Sequence, residues 1–458
     1  MNSPSSTPPP CFSGVFGVAC RDIVPPLQIN ARNWGAATTD TASSRHRPLI
    51  LSVLTMQSEG HSPLVLVTMD LGWWRSHEEE DALSEAIRSA GIKAGNYIVA
   101  LSHTHAGPIF SPSMAKSHGG EFIAPFLQKL CDLVREAITE ALRNAVPGLL
   151  ETSTGTCVLA ENRDFPDPDS TRHLVGWNPA GCPDQTLLLG RVSDANGACL
   201  ATIVNYACHP TILAWENTAL SPDFVGAMRE VVQTETKAPC LFLQGASGEL
   251  APRLQYVAET AVADRAGRCL GHAALELYNN MLRPGHELRY AGAVESGAPL
   301  ARWVEHSRGA LPKEIFVHRL PVSLPLKRDL LSLTQLNEQW KSCDDPAHKE
   351  RLQRKKHVRM SVGEGSTYSV EHLVWKIGDI FFVAIPNEVY SEFQTSLREA
   401  SGPHPIFVVT LANGGRGYLV PQEKYEDTLY TIEQSPYAKG SFEKCRDTLV
   451  QAINRVGE

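Results

Sequence analysis

Two hydrophobic rhythms alternate along this chain, and the switches between them predict a mixed α/β protein. Residues 48–56, 64–69 and 97–101 are short apolar runs closed by polar or glycine-containing segments, the pattern of buried strands. Between the last two, residues 77–90 set Ala82, Leu83, Ala86 and Ile87 on one face of a helix. Residues 122–145 predict the strongest helix, with Phe126, Leu130, Leu133, Ile138 and Leu142 near one stripe. A second cycle follows: a strand at 201–207, a helix near 224–234, a strand at 240–243 and a long helix at 257–280. Further strands are expected at 290–294, 371–385 and 406–411, the second of them a hairpin turning at Gly378-Asp379. The highly charged segment 334–359 reads as helix lying outside the core.

The expected fold class is therefore α/β, with mixed sheets flanked by helices. No internal repeat or linker is evident, which favours one unit over residues 14–458, with a possible subdomain boundary near 285. Residues 1–13 are Ser/Pro-rich and expected to be disordered. A net charge of −8 and a pI of 6.1 weigh against a nucleic-acid surface. The one notable basic run, Lys349, Arg351, Arg354, Lys355, Lys356, His357 and Arg359, reads as a solvated helix face. Eleven cysteines without C-x-x-C spacing suit neither a zinc ribbon nor a disulfide framework, and fit a reducing compartment. Neither a signal peptide nor an apolar run of about 18 residues is present, so a cytoplasmic location without integral membrane association is expected.

Candidate chemistry lies just after the expected strands. In Ser102-His103-Thr104-His105, an extended backbone would point both imidazoles one way. Such strand ends are where open α/β sheets place their ligands. His209 follows the strand at 201–207 in the same manner. The strand at 240–243 runs into Gly245-Ala246-Ser247-Gly248-Glu249. A nucleophile elbow needs glycine where Glu249 stands, which weighs against a Ser247 nucleophile. Glycines such as Gly248 instead suit close approach of backbone to a ligand. Glu388 follows an apolar strand, and residues 413–421 bring in Arg416 and Tyr418, with Tyr425 and Tyr430 beyond. Any one of these can be structural. If the strands share a sheet, their polar groups converge at one end.

In order, these segments resemble the neutral, non-lysosomal ceramidase family. Gly14-Val15-Phe16-Gly17 and Asp22-Ile23-Val24-Pro25-Pro26 are similar to its opening. The strand Val67-Thr68-Met69-Asp70-Leu71-Gly72, the His103-Thr104-His105 and Gly107-Pro108 segment, Asn162-Arg163, His209-Pro210-Thr211 and the tyrosines at 418, 425 and 430 match in turn. The resemblance runs from about residue 14 to 440. It implies a neutral-ceramidase-like catalytic domain with zinc held by His103, His209, Glu388 and Tyr418. Histidine and glutamate are ordinary catalytic zinc ligands, whereas the tyrosine rests on the match alone. It also implies that His105 and Arg163 contact the substrate and its oxyanion, with Tyr430 as a further donor. Asp70 is expected to fix the tautomer of a neighbouring imidazole, and His105 or Glu249 to return a proton to the leaving amine.

Two departures matter. The family's Gly-Asp-Val-Ser-Pro reads Gly248-Glu249-Leu250-Ala251-Pro252 here, without the serine hydroxyl, and no C-terminal immunoglobulin-like domain is expected. The reading that results is a zinc hydrolase of a small, soluble carboxamide other than ceramide, bound through Arg163, Arg416 and Gly248. Ceramide hydrolysis, lyase or isomerase chemistry on a small metabolite, and a ligand-binding pseudoenzyme are the alternatives.

Overall fold

A computed structural model describes residues 7–457. Its largest sheet has the strand order β8-β7-β6-β5-β1-β2-β3-β4. The first half comprises β1 (Cys11–Asp22), β2 (Ile50–Gln57), β3 (Leu64–Met69) and β4 (Tyr97–Leu101). The second comprises β5 (Val146–Thr156), β6 (Thr186–Asp194), β7 (Cys199–Tyr206) and β8 (Cys240–Gln244). Only β3–β4 and β7–β8 are parallel. A parallel pair needs a crossover, and helices α1 (His77–Ser89) and α3 (Phe224–Thr236) supply it. With α2 (Ile123–Arg143) and α4 (Thr260–Asn280), the order strand-strand-strand-helix-strand-helix occurs twice, and the halves join where β1 pairs with β5. The expectation of no repeat is thus corrected. The repeat is one of topology, which needs a common apolar rhythm but not common residues.

One face of this sheet packs on helices. Leu51, Val53, Val65 and Val67 meet α1 and α2, while Leu187, Val204 and Phe242 meet α3 and α4. The alternate residues, Leu54, Leu66, Ile98 and Leu241, face a second sheet through Trp375, Phe382 and Phe407. That sheet runs β9 (Ile315–Pro325), β10 (Thr367–Ile377), β11 (Ile380–Ile385), β12 (Ile406–Thr410). Helices α5 (Leu333–Ser342) and α6 (Pro346–Val362) intervene between β9 and β10. The far face of the second sheet is covered by α7 (Ser391–Ala400) and α8 (Ser441–Gly457), with Phe393 and Phe442 against Phe381 and Val383. The layers are helix, sheet, sheet, helix. Strands buried on both faces lose the polar alternation of a half-exposed sheet, which is why they read as continuous apolar runs.

The eight-stranded sheet curls until its edge strands β4 and β8 come into contact. Asn413, just past β12, bridges to β4: its N–H donates to the Val99 carbonyl at 3.0 Å, and Val99 N–H donates to its Oδ1 at 2.7 Å. On the other side the Thr410 hydroxyl donates to the Gly245 carbonyl at 2.9 Å. This closure carries the segments following β4, β7, β8 and β11 to one place.

The hairpin forms as expected, with Ile377 opposite Ile380 and Gly378 at φ 53°, where a Cβ would lie 2.3 Å from the Cys11 carbonyl oxygen. Two expectations are corrected. Strand β1 begins at Cys11, inside the segment expected to be disordered, of which residues 1–6 lie outside the described residues. Helix α6 is not peripheral, because Leu352, His357, Arg359 and Val362 are buried. All eleven cysteines are free thiols, and no described helix is long and apolar enough to cross a membrane.

Candidate metal centre

Beyond β4 the backbone does not stay extended. His103 takes φ 66°, the left-handed region that non-glycine residues rarely adopt and that commonly marks a functional turn. The two imidazoles of His103 and His105 therefore meet through a turn and not through strand alternation, with ring centroids 4.9 Å apart. His209, held just after β7, brings its ring 4.7 Å from that of His103. One ring nitrogen from each of the three buried histidines lies within 4.8 Å of the others.

The tautomers follow from the partners. His103 Nδ1 donates to the Gly72 carbonyl at 3.1 Å, and His209 Nδ1 to the Ser247 carbonyl at 2.7 Å. A carbonyl only accepts, so in a neutral ring the proton sits on Nδ1 and Nε2 carries a lone pair. Those lone pairs face one atom, Glu388 Oε2, at 3.3 Å and 3.1 Å. Burial first, then the Arg163 charge, push His209 down to about 3, keeping it neutral. Two buried ring nitrogens and a part-buried carboxylate oxygen thus converge, and His103 Nε2 has no hydrogen-bond partner. Such a cluster is costly unless a cation sits among it. Neighbouring donors around tetrahedral zinc, bonded at about 2.0–2.1 Å, stand about 3.3 Å apart. The residues present fit that ion.

A two-residue parallel pairing sets Glu388 beside Tyr418. Burial, then the Glu388 charge, push the Tyr418 phenol well above its ordinary value, so it is neutral. Its oxygen lies 3.4 Å from Arg163 Nη2. Arg163 also donates to the Gly248 carbonyl from Nε at 3.1 Å and Nη2 at 2.8 Å. The Gly248 carbonyl is thereby engaged, and a Cβ at that position would lie 2.8 Å from the Tyr390 ring. Gly248 thus serves close packing and holds Arg163.

Over the histidines lies a cavity of about 60 Å³, walled by Trp73, Arg75, His105, Arg354, Tyr418 and Tyr430 among others. Both His105 nitrogens are buried and unpartnered. Burial first, then the neighbouring charges, hold this imidazole well below its ordinary value. Trp34 and Trp73 flank the ring at 5.2 and 4.8 Å. Tyr430 accepts from Arg354 Nη1 at 3.0 Å, which leaves the phenolic proton free to donate.

Three expected site residues lie elsewhere. The Glu249 carboxylate turns to the start of α7, where it accepts the Ser391 N–H at 2.9 Å and the Ser391 hydroxyl. Burial raises it to about 7, and it borders a different cavity, beside Asp164 and Tyr390. Arg416 is engaged bidentately by Glu80, at 2.6 Å for each pair. Asp70 meets no imidazole: Arg229 Nη1 and Nη2 donate to it at 2.7 and 2.9 Å, and Ile50 N–H at 2.9 Å. Backbone carbonyls fix the imidazoles in its stead. Asp70→Ala would strand a buried guanidinium, and is expected to cost about 3–5 kcal/mol of stability in urea unfolding. The folded variant should bind metal as wild type does, and loss of metal at full folding would restore the tautomer role. The Ser247 hydroxyl accepts from Gln244 Nε2 at 2.6 Å and faces no base.

Arg75, Trp73, Arg354 and His357 were not singled out for this wall from sequence. Trp73 and Arg75 follow β3 directly, so the strand-end rule that marks the histidines could have found them. Arg354 and His357 belong to the basic run read as a solvated face, and that reading is corrected for both.

The layered architecture is the neutral ceramidase fold. Neutral ceramidase from Pseudomonas aeruginosa aligns with a TM-score of 0.70 at 15% identity, over 98% of this chain and 75% of that one. A ceramidase complexed with C2 aligns with a TM-score of 0.70 at 16% identity and the same coverage. No protein-family model and no curated protein sequence matches the chain. At this identity the likeness carries the fold, and the chemistry rests on the residues of the site.

Proposed function

We propose that the chain is a zinc-dependent amidohydrolase acting on a soluble carboxamide other than ceramide, with zinc held by His103, His209, Glu388 and Tyr418. The observation that carries this reading is the pair of imidazole Nε2 atoms facing Glu388 Oε2 at 3.3 and 3.1 Å. When bound, zinc supplies Lewis acidity and lowers the pKa of water toward about 7. His105 offers two unpartnered nitrogens. One of them takes a proton from the attacking water and returns it to the leaving nitrogen, so that amide and water become carboxylate and amine. Tyr430 donates its hydroxyl proton to the developing oxyanion. Arg163 acts through Tyr418, orienting the phenol and adding positive charge behind it. The flanking indoles of Trp34 and Trp73 limit water at the His105 ring.

The net charge of −8, which anionic lipid would repel, supports a polar substrate. A second reading, ceramide hydrolysis, is favoured by the fold likeness. The test compares zinc-loaded and chelator-stripped protein on small polar amides, N-acyl amino acids and short-chain ceramide. Zinc-dependent cleavage of a polar amide is expected. Cleavage of ceramide alone would establish the second reading, and cleavage of nothing would overturn both.

A further inference from the structure

Arg75 is a buried cation with no carboxylate in direct contact. It is only 4% exposed, yet among the described residues it forms no ion pair, and its guanidinium has one hydrogen-bond partner, Asn33 Oδ1 at 2.9 Å. Glu79 is the nearest acid in the sequence, but its carboxylate is turned to Ser76, to Ser111 and to the N–H groups of Arg75 and Ser76. Arginines this deep ordinarily carry a carboxylate.

A second guanidinium stands close by. The Arg75 guanidinium lies 4.3 Å from the Trp73 ring centroid and that of Arg354 5.2 Å from the same ring. Arg354 donates to the Asn33 carbonyl at 2.7 Å, so both arginines are tied to one residue. Asn33 is itself pinned through its side-chain amide to the Gly107 carbonyl at 2.8 Å. Glu350 pairs with Arg354 at 3.1 Å, and it and Glu79 reach Arg75 only at longer range. Both arginines line the cavity over the histidines, whose one acidic wall residue, Glu388, faces the imidazoles.

We propose that the Arg75–Arg354 pair recognises a carboxylate on the substrate, so that the amide cleaved is that of an N-acyl amino acid or a similar carboxylate-bearing compound. This rests on the amidohydrolase reading above. Guanidinium groups fixed by hydrogen bonds and stacked on an indole are pre-organised for a planar oxyanion, which they bind through paired N–H donors. Burial lowers Arg75 to about 10, which leaves it charged at neutral pH. The Trp73 ring centroid lies 4.3 and 5.2 Å from the two guanidiniums and 4.8 Å from the His105 ring. Only a short spacer therefore separates the bound carboxylate from an amide at His105, as in an amino acid acylated on its own nitrogen.

The test pairs N-acetyl-leucine with N-acetyl-leucinamide, following acetate release by the zinc-loaded protein. The acid is expected to be preferred by at least about tenfold in kcat/KM, and the preference to fall below about threefold in Arg75→Gln and in Arg354→Gln. A readout free of turnover is quenching of tryptophan fluorescence in chelator-stripped protein, where zinc cannot hold the carboxylate. There the acid should bind the wild type at least about tenfold more tightly than it binds Arg75→Gln. If Arg75→Gln does not fold, Arg354→Gln and the wild-type comparison of acid with amide still decide. Equal cleavage of both compounds by the wild type would overturn the carboxylate site and leave amide hydrolysis standing. Acid-selective binding without cleavage would support the site and remove the hydrolase. Neither cleavage nor selective binding would overturn both.

Discussion

Alanine at both His103 and His209 is expected to leave the protein with less than about a tenth of its zinc, against roughly one ion per chain in the wild type. These two imidazoles supply the Nε2 lone pairs aimed at Glu388. Removing them leaves one carboxylate and a neutral phenol, too few donors to hold the ion. The His209 ring also satisfies the Ser247 carbonyl, so its loss should cost about 1–3 kcal/mol of stability. Zinc content is therefore to be measured by elemental analysis on fractions shown to be folded, beside chelator-stripped wild type. Full occupancy in the folded double variant would refute the assignment.

His105→Ala should separate proton transfer from metal binding. The His105 ring stands 4.9 Å from that of His103 and 6.1 Å from that of His209, and neither of its nitrogens is bonded. If it acts on the proton, its loss should lower kcat by about 10²–10⁴ while KM and zinc content change little. Zinc released in step with activity would instead make His105 a ligand, as the grouping of the three histidines allows. Measuring kcat, KM and zinc on one preparation distinguishes the two roles.

The sequence showed the parts of the site more clearly than their arrangement. The buried strands at 64–69 and 97–101 are legible because both of their faces are covered, and the histidines after β4 and β7 stand out as polar groups at strand ends. Strand β1 is not legible, because Ser/Pro-rich residues precede it and Ser13, Gly14 and Gly17 interrupt its apolar rhythm. Pairing is a long-range property: the contact of β4 with β8, which brings the polar groups together, joins residues far apart in the chain. Charge is ambiguous from sequence for the same reason. Asp70 and Arg416 look available until their partners Arg229 and Glu80 are seen, while Arg354 looks solvated until α6 is seen to wall the cavity.

Crystals of the full chain measured on both sides of the zinc absorption edge would test the metal centre most directly. A single anomalous peak is predicted, bounded by His103 Nε2, His209 Nε2 and Glu388 Oε2, with the Tyr418 oxygen on its remaining side. No peak in zinc-replete crystals, or a peak away from these four residues, would contradict the account.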